Sequence, residues 1–236
     1  MDAITAWFKT WWSGICVDFT RSFIEDKRYL MLLEGIKITI LISLVSVIIG
    51  LMIGLLIALC NLSKKKGLRI LGKVYTDIIR GTPSVTQLMI IYFVIFAKID
   101  WPKWIIASIA FGINSGAYVS EIIRAGILSI DKGQTEAGRS LGLSQKQTMT
   151  DIVIPQAVKN IFPALCNEFI TLIKETAIVG YVGLVDIQKA GDFIKSATYL
   201  AYMPLLGTAV IYFIIIKILI VLLGVLEARL RKSEQR

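Results

Sequence analysis

Two sets of polar side chains interrupt otherwise apolar stretches of this sequence, and they are the groups best suited to chemistry. The members of each set stand at helical spacing: Asn114, Tyr118 and Glu121 in the first, Thr171 and Glu175 in the second. Ionisable groups are costly inside a lipid bilayer, so they usually face a cavity or a charged partner. The pattern predicts either a polar lining for a solute pathway or polar contacts that hold helices together.

The charges next to these carboxylates decide which solute such a lining would suit. If Glu121 and Glu175 face one cavity without partners, they favour a cationic solute that carries an ammonium or guanidinium group. Arg124 follows Glu121 by three residues and can form an ion pair with it on one helix, and Lys174 adjoins Glu175. If these bases neutralise the carboxylates, the preference for cationic substrates disappears.

Catalytic chemistry finds little support in the rest of the chain. Histidine is absent, and the three cysteines have neither the spacing of a metal site nor that of a disulfide framework. Residues 67–73 match a phosphate-binding loop for seven positions, but Val74 stands where a Ser or Thr hydroxyl would hold magnesium. We therefore predict a non-catalytic chain without cofactors of its own, so that any ATP hydrolysis belongs to a partner.

Long apolar runs are the elements that would position these groups. Hydrophobic residues make up 56% of the 236 residues, a share above that of ordinary globular domains. A spanning helix needs about 20 apolar residues. Five segments meet or approach that length: 32–62, 83–97 (short unless 74–79 extends it), 104–128, 161–184 and 203–226. The sequence thus predicts an all-α integral membrane protein with about five transmembrane helices.

The distribution of charge predicts how the chain is oriented. The formal net charge is +9, and the basic residues flank the apolar runs instead of alternating with aromatics, which argues against a nucleic-acid partner. Fourteen Lys and Arg residues fall in the loops after the first and third segments and in the tail, against eight on the other side. Because basic residues concentrate on the cytoplasmic side, we predict an external N-terminus and a cytoplasmic C-terminus.

Three regions follow from these boundaries: an N-terminal interfacial segment 1–28, a transmembrane region 29–226 and a cytoplasmic tail 227–236. The first region is rich in aromatic residues that suit the lipid headgroup level or a buried subunit contact: Trp7, Phe8, Trp11 and Trp12. The first spanning segment has a small residue at every fourth position: Ser46, Gly50, Gly54 and Ala58. Such a stripe allows a helix of the same or of a second subunit to approach closely.

The loop at about 129–160 is too ordered for a simple connector. Asp131 with Gln134, and Ser144 with Gln147, have the spacing of capping boxes that open two short helices. Gly142 lies between them, where a helix C-terminus favours a left-handed residue. Pro155 lacks a backbone donor and is predicted to bend the chain as it re-enters the membrane. The pattern predicts a helical knob suited to docking.

The same loop carries a resemblance to a known family. Residues Glu136, Ala137 and Gly138, followed by Gly142 and by Ile152-Val-Ile-Pro155, resemble the EAA signature of ABC importer permeases, with glycine in place of the second alanine. Three further stretches resemble the polar amino-acid branch of that family: 80–83, 117–127 and 174–177. The resemblance covers about residues 30 to 226. It implies the type I importer permease fold and a bacterial inner-membrane location.

The resemblance also implies partners. Two permeases pair, as a homodimer or with a sister chain, against two ATP-binding cassette subunits that hold ATP and magnesium. An extracytoplasmic solute-binding protein delivers the amino acid, and lipid surrounds the spans. With an amino-acid substrate, unpaired carboxylates at Glu121 and Glu175 would favour arginine, lysine or histidine. The EAA helix, including Glu136, Ala137, Gly138 and Gly142, inserts into a groove of the ATPase, where its small residues permit close approach. A secondary transporter or channel subunit that works without ATP is the alternative from another class.

Overall fold

The computed structural model describes the backbone of residues 2–232 and the side chains of residues 5–7 and 9–229. The Phe8 side chain, which belongs to the predicted aromatic cluster, lies outside the described side chains. Residues 233–236, the end of the predicted tail, lie outside the described backbone. No strand occurs in the described part of the chain. The prediction of an all-α protein is confirmed.

Ten α-helices account for most of the described chain, in this order: α1 (Asp2–Phe19), α2 (Tyr29–Leu62), α3 (Lys66–Arg80), α4 (Ser84–Ile90), α5 (Lys103–Leu128), α6 (Lys132–Ser140), α7 (Gln145–Gln147), α8 (Ile154–Glu175), α9 (Ile187–Thr198) and α10 (Tyr202–Lys232). Three π-helical turns extend or join them: Thr20–Ile24, Ile91–Ile95 and Thr148–Val153. Two 3₁₀ segments, Glu25–Lys27 and Thr176–Val182, make further joints.

Three of these helices are long and apolar enough to span a membrane, namely α2, α5 and α10. A fourth span is possible if α3 and Ser84–Ile95 count as one broken element, although they meet at 104°. Residues 74–79 therefore do not extend the second predicted segment in a straight line. Helix α8 has 22 residues but carries more polar side chains than the other three. The count of five spans stays a prediction.

The stripe of small residues on α2 packs inside the subunit. The Ser46 hydroxyl donates to the Ser108 carbonyl oxygen of α5 at 3.1 Å. A Cβ added at Gly54 would lie 2.4 Å from the Val119 side chain, so no larger residue fits there without movement. Of the two interpretations left open by the sequence, the structure selects the contact between α2 and α5. Close packing of this kind fixes the position of the polar face on α5.

A buried carboxylate joins helices at the end of the molecule opposite the 129–160 loop. Asp186 caps α9 by accepting hydrogen bonds from the Gln188 and Lys189 amides, and it accepts a third from the Tyr212 hydroxyl of α10 at 3.0 Å. Burial raises the pKa of Asp186 and these hydrogen bonds lower it. The effect of burial is the larger, so the pKa lies above its ordinary value. A Cβ at Gly35 would lie 2.8 Å from the Asp186 backbone, so α2 also meets this joint.

Candidate functional site

The 129–160 loop folds as a short helical hairpin. The Asp131 carboxylate accepts the Gly133 amide at 2.6 Å, but Gln134 does not close a capping box with it, since its side chain accepts from Gln156 of α8 at 3.3 Å. Asp131 therefore caps α6 through the Gly133 amide, and the predicted capping box with Gln134 is not formed. The second is complete: the Ser144 hydroxyl accepts the Gln147 amide and the Gln147 side chain accepts the Ser144 amide.

Gly142 makes the tight turn between α6 and α7. Its φ is +85°, in the left-handed region that only glycine enters without strain. The Gly142 amide donates to the Arg139 carbonyl at 3.1 Å and the Leu143 amide donates to the Gly138 carbonyl at 3.2 Å. This hydrogen-bond pair is the Schellman motif that ends a helix. The left-handed conformation predicted from the sequence is thus present in the structure.

Gly138 lies inside the hairpin, whereas the family resemblance implied that this residue contacts the ATPase. Gly138 is buried, and a Cβ there would lie 2.8 Å from both the Thr148 and Ile152 side chains. Its small size therefore lets α6 pack on the rest of its own loop, not on a partner. Glu136 and Ala137 are exposed, and so is Leu141, with 81% of its surface accessible. Sequence reasoning missed Leu141, because Leu143 two positions later is equally apolar and the sequence does not show which of the two is exposed.

Hydrogen bonds hold the hairpin against the long helices. The Asn160 side chain on α8 donates to the Ser129 hydroxyl at the end of α5 at 3.0 Å, in addition to the contact between Gln156 and Gln134. Pro155 lies in the first turn of α8, where a missing amide donor is tolerated. The chain is helical on both sides of Pro155, and the irregularity falls in the preceding π turn, Thr148–Val153.

A polar cavity of about 280 Å³ lies among α2, α3 and α5. Its charged lining comprises four bases and two acids: Arg69, Lys73, Arg80, Arg124, Asp77 and Glu121. The four residues from α3 were not predicted as a set, although their positions 69, 73, 77 and 80 follow one face of a helix. This mixture of charges can bind a group that carries both signs.

Glu121 is paired inside this cavity. Its carboxylate accepts a hydrogen bond from the Arg124 guanidinium at 2.8 Å and lies 4.0 Å from that of Arg80. The Arg80 guanidinium also stacks over the Tyr118 ring, 5.5 Å from its centroid. Tyr118 and Glu121 are thus brought together through Arg80. Of the two alternatives left by the sequence, the structure shows the neutralised carboxylate.

Asn114 has a different environment from Tyr118 and Glu121. It is 3% exposed and donates to the Gln87 side-chain oxygen at 2.9 Å. Gln87 in turn donates to the Ile79 carbonyl at 2.7 Å and to the Thr82 hydroxyl at 2.6 Å. These bonds cross the sharp bend between α3 and α4. The geometry therefore supports a bracing role for Asn114, and the predicted contact with substrate stays a prediction.

The second polar set lies apart from the first. Thr171 is exposed and Glu175 is half-buried on α8, and among the described residues no hydrogen bond or ion pair joins either of them to Glu121. Glu168, one turn before, accepts a hydrogen bond from the Ser115 hydroxyl of α5 at 2.8 Å. The five predicted residues therefore do not form one cluster, and Glu168 provides one hydrogen bond between α8 and α5.

Comparisons with known proteins agree with this architecture. Residues 50–232 match the family described as the binding-protein-dependent transport system inner membrane component. The arginine transport system permease protein ArtQ of Bacillus subtilis is 43% identical over 207 residues, which cover 86% of this chain and 94% of ArtQ. A Rickettsia bellii protein assigned to a glutamine transport system as its permease, GlnP, is 42% identical over 205 residues, with the same coverage.

A solved structure gives the same result in three dimensions. The crystal structure of an amino acid ABC transporter with histidines contains a chain that is 40% identical and superposes with a TM-score of 0.80. The match covers 88% of this chain and 98% of that one. Fold, family and sequence similarity thus coincide over most of the length. This multi-pass membrane protein belongs to the binding-protein-dependent transport system inner membrane components, in the polar amino-acid branch of the ABC importer permeases.

Proposed function

We propose that this chain forms the translocation pathway of an ATP-driven amino-acid importer and couples to the ATPase through the 129–160 loop. The observation that carries the proposal is the hairpin itself, which is folded and held on the long helices by hydrogen bonds. A secondary transporter has no need of such a knob. In this proposal the chain is not catalytic, and ATP and magnesium are bound by a separate dimer of ATPase subunits.

The exposed part of the hairpin supports the docking role. Glu136, Ala137 and Leu141 are accessible, while Gly138 and Thr148 fix the hairpin from within. An apolar side chain exposed beside small and charged ones suits the centre of a protein interface. The remaining partners of the proposed assembly are a second permease, identical or a sister chain, and an extracytoplasmic solute-binding protein that delivers the amino acid.

The proposed substrate is a polar amino acid, as for the named relatives. A free amino acid carries a carboxylate and an ammonium group, and the cavity beside Arg80 offers bases and acids for both. Because Glu121 is paired, it gives no preference for cationic substrates. Any such preference would have to come from Thr171, Glu175 and the neighbouring Glu168 on α8.

Glu121 and Arg124 are expected to act as a neutral pair. Hydrogen bonds between charged groups contribute about 1.5–3 kcal/mol, so removing one partner is costly. We expect Glu121→Gln and Arg124→Gln each to lower uptake markedly, and the double variant to recover most of it. The measurement is uptake of arginine and glutamine by the assembled transporter. A double variant that stays defective, with arginine affected more than glutamine, would show instead that Glu121 contacts substrate.

The proposed orientation places the 129–160 loop and the C-terminus in the cytoplasm and the N-terminus outside. Lys65 then lies inside and Lys189, on α9, lies outside. In intact cells an impermeant thiol reagent is expected to label Lys189→Cys and to spare Lys65→Cys, in a background without the native cysteines. The reverse pattern would contradict both the orientation and the docking proposal.

The energy source separates the proposed function from the alternative. Membrane vesicles that contain the chain and its partner subunits are loaded with ATP, and amino-acid uptake is followed with and without ionophores. We expect uptake that requires hydrolysable ATP and survives collapse of the ion gradients. Uptake that is abolished by the ionophores and indifferent to ATP would identify a secondary transporter.

A further inference from the structure

A wholly apolar groove opens among α2, α5 and α8, at the same end of the molecule as the 129–160 loop. Its volume is about 280 Å³, and its walls include Leu59, Leu62, Ile127 and Val158. Leu59 and Val158 remain 57% and 47% exposed, so the groove is open to the surroundings of the helices. Two small buried residues of the lining, Ala58 and Ala157, leave the space empty.

The length of the groove along α8 matches the thickness of one membrane leaflet. Its wall on α8 runs from Ile154 to Leu165, about 16 Å at the rise of an α-helix. Half of the hydrocarbon core of a bilayer is about 15 Å thick. A second helix, about 10 Å across with its side chains, is too wide to enter a space of this volume. A single acyl chain spans one leaflet and therefore matches the length of the groove.

Three consecutive lysines follow the end of α2, next to the part of the groove that Leu62 lines. Lys64, Lys65 and Lys66 begin two residues after Leu62, and all three are exposed. Among the described residues, no ion pair neutralises any of them. Basic clusters next to the end of a spanning helix attract acidic lipid headgroups. The unpaired lysines therefore suit the negative headgroup of an acidic phospholipid, and the apolar groove suits one of its acyl chains.

We propose that this groove binds one acyl chain of an acidic phospholipid, such as phosphatidylglycerol, and that the side chains of Lys64, Lys65 and Lys66 attract the net negative charge of its headgroup. The proposal rests on the groove and the lysines alone and is independent of the transported substrate. The bound lipid would lie beside the first turn of α8 and the end of α5, the two helix ends that hold the 129–160 loop.

The acyl-chain site is tested by placing a bulky side chain at the opening of the groove. The full chain is purified from membranes with its accompanying subunits, exchanged into mixtures of phosphatidylglycerol and phosphatidylcholine with identical acyl chains, and examined by native mass spectrometry. We expect Leu59→Trp to lower the occupancy of both lipids about tenfold, the effect of losing roughly two buried methylene groups. Leu56→Trp is the matched control, because Leu56 is 63% exposed on the same helix but lies outside the groove.

The headgroup site is tested in the same experiment. Replacing Lys64, Lys65 and Lys66 by glutamine should lower the preference for phosphatidylglycerol about fivefold for each lysine and leave phosphatidylcholine unchanged. Lys37→Gln, at the other end of α2, should have no effect. Equal lipid retention by the two tryptophan variants, or an unchanged headgroup preference in the triple variant, would overturn the proposal. So would disulfide cross-linking of two copies through Val158→Cys, which would show that a second permease covers the groove.

Discussion

Replacing Gly142 by leucine is expected to abolish substrate-stimulated ATP hydrolysis while the chain still inserts into the membrane. The physical reason lies in the backbone, because no atom lies within 4 Å of the position that a Cβ would occupy. A residue with a Cβ costs about 1–2 kcal/mol in the left-handed region. The turn would relax, the Schellman hydrogen bonds would be lost, and α6 would no longer be presented to the ATPase at a fixed angle.

Gly142→Asn is the matched control, since asparagine enters the left-handed region more readily than other residues with a Cβ. It should retain most of the stimulated hydrolysis. Membrane insertion is checked for both variants by the amount of chain in purified membranes. Normal transport and normal stimulation by the leucine variant would show that the turn at Gly142 is not required for coupling.

Leu141→Asp is expected to cause an equally large loss by a different route. Leu141 is 81% exposed, so the substitution removes little packing within this chain and should leave the hairpin folded. At the centre of an interface, however, an unpaired carboxylate would be buried against the ATPase, and burying a charge without a partner is strongly unfavourable. We therefore expect the ATPase no longer to co-purify with the chain.

Two controls separate this effect from a general effect of charge on the loop. Leu141→Met keeps an apolar side chain of similar volume and should preserve assembly. Gln145→Asp places the same charge on an exposed position of α7 and should be tolerated. Undiminished recovery of the ATPase with Leu141→Asp would place Leu141 outside the interface.

Local signals made the 129–160 loop predictable, whereas tertiary contacts made parts of it unpredictable. The turn glycine and the box of Ser144 with Gln147 depend on hydrogen bonds between residues three to five positions apart, which a sequence displays directly. Gln134 instead bonds to Gln156, 22 residues away, and Gly138 packs against Thr148 and Ile152. Those partners are set by how the hairpin folds back on α8, which spacing does not reveal.

The polar cavity shows the same division between local and distant contacts. The ion pair of Glu121 and Arg124 follows from a spacing of three residues on one helix. The approach of Arg80 to Glu121 instead joins two helices, which spacing does not reveal. Arg80 ends α3 at the 104° bend before α4, in a stretch that continuous hydropathy would place in one straight helix. The bend is held by Gln87 and Asn114, so a residue that the pattern placed on a substrate face also joins two helices, and its contact with substrate stays a prediction.

The most direct test of the central claim is ATP hydrolysis by the purified assembly. The chain is purified with the ATPase that accompanies it and reconstituted into liposomes, and hydrolysis is measured across the amino acids with the solute-binding protein present. We expect stimulation by a subset of polar amino acids, and loss of that stimulation in Gly142→Leu. Hydrolysis that no amino acid stimulates, or a chain that purifies with no ATPase while still transporting amino acids, would contradict the assignment of this permease to an ATP-driven importer.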